Sequence, residues 1–255
     1  LIKPSFKGND GYARVKWFLV TNKHVLHLDE QKRAQATEIV LYPRTRGIDG
    51  TVSRRQEIVG LVTETGEKIW REHPDPNVDV LLIDLTGLIL GNTLIEHDTV
   101  FGLEAFGDLA SINRWKIDVT LGAEVGMIGY PNLLTGRGES RTTTSDPIVY
   151  RGTLATPFDQ ALQENDRTVR GFLINATGIP GASGSPVILW PGQQVTFQGR
   201  TFLGSKTPPL LLGILAETRF GEIQVSRFGG QAFADACMAY SADTIIETSM
   251  LFTRE

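Results

Sequence analysis

The stretch GIPGASGSP, from Gly178 to Pro186, decides how this chain is read. Small residues crowd both sides of Ser183, and the apolar run Val187, Ile188, Leu189, Trp190 follows at once. Such a stretch is either a flexible turn or a backbone shaped to hold one hydroxyl in a reactive place. An alcohol is a weak nucleophile near neutral pH. It acts only where a base stands within hydrogen-bond reach and an acid orients that base. The question working outward from Ser183 is whether the chain supplies both.

The totals narrow the field. A chain of 255 residues can form one large domain or two small ones with a proper core. Apolar residues make up 41% and charged residues 21%, which favours a folded chain over disorder. The 27 glycines and 12 prolines, with many short apolar runs between them, lean toward β structure. A net charge of −4 offers no basic excess for a nucleic-acid backbone, so no nucleic-acid partner is expected. Cys237 is the only cysteine, which excludes an intramolecular disulfide and a cysteine-based zinc site. Its context, ACMAY, favours a buried structural thiol over a nucleophile. No cofactor or metal is implied.

No run approaches the ~20 apolar residues of a membrane span. The longest candidate, 80–90, is broken by Asp84, Thr86 and Gly87, so no membrane association is expected. The opening LIKPSFKGND lacks the charged-then-apolar layout of a signal peptide. With the single cysteine this leads to an expected cytoplasmic location, a secreted or periplasmic one being left open.

Short β-rich runs bounded by Gly, Pro, Asn or Asp predict strands at 16–21, 38–42, 57–62, 78–85, 124–129, 148–155, 171–175, 187–190, 194–197, 210–216 and 236–240. Helical signals are few. Residues 98–112 hold a turn or two. The tail is clearer: Ser241 is a good N-cap, Asp243 sits in the first turn, and Ile245, Ile246, Met250 and Leu251 recur at helical spacing. The polar stretch LLTGRGESRTTTSD, 133–146, reads as an exposed loop. The pattern is two strand-rich halves, 1–102 and 118–255, joined by a connector at 103–117. Two β-barrels or sandwiches fit it, with the terminal helix in the second half.

Four histidines are available as the base. His24 lies in WFLVTNKHVL, just past the end of an apolar strand, where an active-site base can sit. His27 has no distinct context. His73 stands in the turn HPDPN and is expected to be exposed, and His97 lies in the polar IEHD. For the acid, Asp79 heads the unbroken apolar run 80–83, and a carboxylate there is costly unless paired. Asp84 is expected to face the opposite side by strand alternation, and Asp75 lies in the turn within reach of water. The order is then His24, Asp79, Ser183. That order goes with the double β-barrel, whereas other orders go with α/β hydrolases and subtilisins.

At these three points the chain resembles the trypsin-like (chymotrypsin-fold) serine proteases. FLVTNKHV resembles the strand ending in T-x-x-H, NVDVLLIDL the D-[IV]-x-L-[IL] segment, and PGASGSPV the G-x-S-G-[GS]-P block. GAEVGMIGYP, PIVYRGTLA, LLLGILAE and YSADTIIETSM resemble segments of the bacterial disulfide-free branch that includes the HtrA-like enzymes. The resemblance spans roughly residues 12–250. It implies an all-β fold of two six-stranded antiparallel barrels with a C-terminal helix, and a serine endopeptidase acting on protein or peptide substrates.

The resemblance also implies roles. His24 is the general base, Asp79 orients it, and Ser183 attacks the scissile carbonyl. The backbone N–H groups of Gly181 and Ser183 form the oxyanion hole, with an unusual φ at Gly181 to turn its amide inward. Thr177 falls at the base of the substrate pocket, and Ala216, Glu217 and Thr218 on its wall. An uncharged Thr177 disfavours Lys or Arg and suits a small or moderate apolar side chain.

Departures from the family pattern matter. Ala182 stands where digestive members carry the aspartate that receives a freed amino terminus, so activation of that type is not expected. GNDGYARVKWF only loosely matches the family's G-[ST]-G-F stretch. A protease that is latent until a regulatory protein partner binds is one form of the leading reading. The alternative is a catalytically silent protease-fold binding module. Other chemistries fail on motifs: there is no G-x-x-x-x-G-K-[ST], no H-E-x-x-H, and Ser185 breaks G-x-S-x-G.

Overall fold

Val, Ile and Leu in short runs between turn formers fit a pleated, half-buried surface better than a helix. Strands accordingly dominate the chain. The computed structural model describes residues 5–7, 13–27, 35–46, 49, 51–54, 56–91, 118–129, 132–135, 140–143, 147–158, 160–164, 167–177, 181–190, 192–197, 200–204, 210–225 and 230–253. The chain divides into two compact units. One comprises Leu1–Pro74, Asp79–Phe106 and Ile245–Glu255, the other Asp75–Val78 and Gly107–Thr244.

The second unit is built on a closed six-stranded barrel. Around the barrel the order is Glu124–Gly129, Ile148–Leu154, Gly171–Asn175, Gly230–Ser241, Leu210–Val225 and Pro186–Leu189, which returns to the first strand. Every neighbouring pair is antiparallel. Closure removes the exposed edges that an open sheet would present. Val125, Met127, Leu154, Phe172, Ile174, Val187, Leu189, Leu212 and Ile214 are buried, and Cys237 is buried with them. The thiol of Cys237 donates to the Ala176 carbonyl at 3.4 Å.

The two longest strands make one ribbon, paired from Gly213 opposite Ser241 to Val225 opposite Gly230. The register slips between Leu215 and Glu217, which leaves Ala216 as the extra residue of a bulge. The predicted strand at 210–216 is thus only the base of a longer one. The stretch expected to be a loop at 133–146 contains a hairpin instead, Asn132–Thr135 against Ser140–Thr143. Leu133 stands opposite Thr142 there. Threonine is β-branched and favours a pleated backbone despite its polarity, so composition alone misread the segment.

The first unit contains a three-stranded sheet in the order Phe18–Thr21, Leu81–Asp84, Trp70–Glu72. Two-stranded pairs form at Glu38–Leu41 with Glu57–Gly60, Arg44–Arg46 with Val52–Arg54, and Ser5–Lys7 with Ala13–Val15. Single backbone bonds stitch some of these pieces together. The Leu61 N–H donates to Thr37, Ile69 to Leu61, and Asp84 to Ile69, at 2.9, 3.1 and 2.8 Å. Beneath them Trp17, Leu26, Leu61, Trp70, Leu81, Ile83, Leu85 and Ile89 form one apolar cluster. A second closed barrel is not among the described residues.

The chain leaves Leu81–Asp84 into a short helix, Thr86–Gly91, which the sequence pattern had not signalled. Asp84 Oδ1 accepts the Thr86 N–H at 2.9 Å and so turns the chain into that helix. The expected terminal helix is Ala242–Met250, with Asp243 in its first turn, and Leu251–Thr253 continues it as a 3-10 turn. The expected helical turn at 98–112 and the connector 103–117 lie outside the described residues. Among those residues no helix is long and apolar enough to cross a membrane.

The barrel draws its backbones close at Gly213, where an added methyl would overlap the Tyr240 carbonyl oxygen and meet the Phe172 ring at 3.0 Å. A backbone carbonyl held in a closed sheet has little room to yield. Gly213→Ala is expected to destabilise the protein by about 1–3 kcal/mol. Urea unfolding checks this, and a wild-type midpoint would refute it.

Candidate active site

Within the first unit, register brings a histidine to a carboxylate. Thr21, the last residue of its strand, stands opposite Leu81, the first residue of the partner strand. Antiparallel geometry carries the chain beyond Thr21 past the chain before Leu81, and so past Asp79. Asn22 is extended, at φ −91° and ψ 150°, and the single helical turn Lys23–Leu26 begins directly after it.

Asp79 grips His24 twice. Its Oδ1 accepts the His24 backbone N–H at 3.1 Å, and its Oδ2 lies 2.5 Å from His24 Nδ1. A carboxylate on Nδ1 selects the tautomer with hydrogen there, which makes Nε2 the basic nitrogen. The His24 side chain is 51% exposed and that of Asp79 only 26%. Burial pushes the Asp79 carboxyl up. The hydrogen bond and charge of His24, with the backbone N–H groups of His24 and Lys23, outweigh it and hold the carboxyl below its ordinary value.

Two neighbours that sequence reasoning missed brace this pair. Asn22 is fully buried and its Nδ2 donates to the Asp79 carbonyl at 2.8 Å. Its Oδ1 is buried with no hydrogen-bond partner among the described residues. Lys23 is buried too, and its ammonium donates to the His73 carbonyl at 3.0 Å. Both residues stand immediately before His24. A polar residue beside a candidate base looks like ordinary strand-end polarity in a sequence, so only position could have flagged them.

His73 corrects an expectation. It is 3% exposed, not a surface residue of its turn. Its N–H donates to the Val80 carbonyl at 2.9 Å, and its Nε2 lies 3.1 Å from Glu247 Oε2. The backbone bond draws the residue inward although Pro74, next in the turn, stays exposed. His27 also gains a context, with Nε2 2.9 Å from Glu72 Oε1. His97 lies outside the described residues.

Within the second unit, the serine loop is tied to the barrel. Gly178, Ile179 and Pro180 lie outside the described residues, and the account starts at Gly181. Gly181 and Gly184 have φ of 85° and 86°, a region that glycine enters without steric cost. The Ser185 N–H donates to the Ala182 carbonyl at 3.0 Å, closing a tight turn with Ser183 and Gly184 at its centre. The turn is then laced to the long strand. Gly184 N–H donates to Leu215 at 2.9 Å, and Leu215 N–H donates back to Ser185 at 2.8 Å. Ser183 Oγ donates to the Ala216 carbonyl at 2.9 Å. That carbonyl belongs to the bulged residue, which the ladder has displaced.

Ala182 is buried and carries no charge, so no ion pair holds this loop through its side chain. Of the pocket candidates, Thr177 and Glu217 are exposed and Ala216 is buried. Thr218 stands opposite Cys237, which stands opposite Ile174 on the next strand. Thr177 follows that last strand closely, so the candidates come from one barrel strand and the end of another, with the strand of Cys237 between them.

No protein-family model and no curated protein matches the chain. Among solved structures it is similar to the MamO protease domain from Magnetospirillum magneticum, in its apo form. The identity is 15% and the TM-score 0.41, over 90% of this chain and 80% of the other. A likeness that distant does not bear on the site.

The lowered carboxyl of Asp79 has a consequence for stability. Its pairing contributes fully at pH above the ordinary value of 3.8, and that contribution is lost as pH falls through the lowered value. Urea midpoints measured from about pH 6 down to about pH 2 are expected to fall more steeply in the wild type than in Asp79→Asn. Parallel curves would show that the pairing adds no stability.

Proposed function

We propose that this protein is a serine endopeptidase with His24, Asp79 and Ser183 as its triad. The observation that carries the reading is the double grip of Asp79 on the backbone and ring of His24, since a surface histidine has no need of such an orienter. The two-barrel arrangement of 1–102 and 118–255 about the connector 103–117, and a relation to the HtrA-like branch, belong to the same proposal.

In this mechanism Ser183 Oγ attacks the scissile carbonyl carbon while His24 Nε2 takes its proton. The oxygen of the tetrahedral intermediate accepts hydrogen bonds from the N–H groups of Gly181 and Ser183. His24 then protonates the leaving amine, and water attacks the acyl-enzyme by the same base catalysis. Asp79 stabilises the imidazolium throughout. A pocket of Thr177, Ala216, Glu217 and Thr218 favours a small or moderate apolar residue before the cut.

The Ser183 hydroxyl gives its hydrogen to Ala216, which supports a resting state that a regulatory protein partner switches on. A single buried thiol suits a reducing, cytoplasmic setting. The alternative is a silent binding module of the same fold.

A fluorophosphonate probe is expected to label Ser183, and Ser183→Ala to abolish labelling. His24→Ala is expected to slow labelling by about 10²–10⁴-fold. Labelling that survives Ser183→Ala would remove the nucleophile assignment. A wild type that never labels, alone or with candidate partner proteins, would favour the binding module.

A further inference from the structure

We propose that Tyr150 and Ser185 are positioning residues that set the nucleophile loop from inside the barrel, in place of an ion pair at residue 182. The inference rests on the peptidase reading. It starts from a gap in that reading: Ala182 has no charge, yet the loop must present one hydroxyl and two amides in fixed directions. Something else has to fix it.

Ser185 closes the turn on Ser183 with its N–H to Ala182, and accepts the Leu215 N–H on its carbonyl. Its side chain points into the protein, 4% exposed, and its Oγ lies 3.1 Å from the Tyr150 hydroxyl. Tyr150 lies within the strand Ile148–Leu154, a member of the closed barrel. The loop is therefore held on two sides. Backbone bonds to Leu215 hold one side, and a side-chain bond to a second strand holds the other.

Gly129 shows that the room for this pair is built. A methyl there would overlap Ser185 Oγ and would stand 3.2 Å from Ser185 Cβ and 3.3 Å from the Tyr150 hydroxyl. Gly129 has no positive φ, so backbone conformation does not call for glycine at this place. Space for Ser185 and Tyr150 does. Burial raises the Tyr150 phenol above its ordinary value, partly offset by the Ser185 hydrogen bond and reinforced by Cys237, so the phenol stays protonated and keeps its hydroxyl.

The coupling to Ser183 is short. Loss of the Tyr150 bond frees the Ser185 side chain and leaves a buried hydroxyl unpaired. The turn that Ser185 closes then loosens around Ser183 and its N–H. The expected effect is on the presentation of the nucleophile, not on substrate binding. Losing one buried hydrogen bond typically corresponds to about a tenfold change.

The test uses the full chain and a fluorophosphonate probe, with Tyr150→Phe, Ser185→Ala and the double variant. Each single variant is expected to slow labelling of Ser183 about tenfold, and the double variant no further than the slower single. On a peptide substrate kcat is expected to fall with KM nearly unchanged. If Tyr150→Phe fails to fold, Ser185→Ala removes the same bond from the other side. Variants that melt earlier but label at the wild-type rate would overturn the inference, because the pair would then be structural only. Additive losses in the double variant would also overturn it. A folded wild type that does not label, alone or with candidate partner proteins, would instead sink the peptidase reading, a result distinct from wild-type labelling with unaffected variants.

Discussion

A carboxylate beside a buried strand must be paired or it is costly, and in this chain it is paired with one histidine through two bonds. That constraint organises the first unit. Asp79 can reach His24 only if Thr21 stands opposite Leu81, because a slip of one residue would turn every side chain of the strand to the other face. Register in turn depends on the apolar cluster beneath it, where Leu81 and Ile83 pack with Trp17, Leu26 and Trp70. Core, register and dyad are thus one specification. The bonds of Asn22 and Lys23 follow the same logic, since Asn22 holds the Asp79 carbonyl and Lys23 the His73 carbonyl, backbone groups and not the paired side chains.

In the second unit the corresponding device is the bulge. A regular ladder would keep the carbonyl of residue 216 in the sheet. The extra residue releases it, and the released carbonyl is the one that Ser183 Oγ meets. Bulges re-aim backbone groups at a cost in pairing, and they concentrate beside functional sites. The loop meets that carbonyl through a turn whose glycines take conformations closed to most residues.

Much of this was legible in the residues. The barrel strands at 124–129 and 171–175 carry turn formers at their ends, and their predicted limits match those of the structure. The length of the ribbon was not legible. Beyond Ala216 the chain reads ETRFGEIQV, where charge and glycine interrupt the apolar pattern, yet the backbone continues as strand to Val225. Pairing within a local hairpin does not require burial on one face, and burial is what periodicity reports. His73 failed for the opposite reason. Its neighbours are turn formers, but its own N–H is claimed by Val80, a bond that no local pattern announces. For the candidate site, the residue types of the dyad and the loop were readable from motif and order. The partners that hold them, Asn22, Lys23, Tyr150 and Ser185, act across distances of sequence that patterns do not span.

The lacing of Ser185 to Leu215 also has a temporal meaning. A chain is made from its N-terminus, at about 5–20 residues per second. Residues 181–185 therefore leave the ribosome well before Leu215, the backbone they are tied to. Ala216, whose carbonyl holds the hydroxyl, emerges later still. During that interval the turn has Tyr150, already synthesised, as its only side-chain anchor among the contacts described for it. The nascent loop is built without the strand that completes it, so a ribosome-bound chain stopped short of residue 215 carries the serine but not its setting.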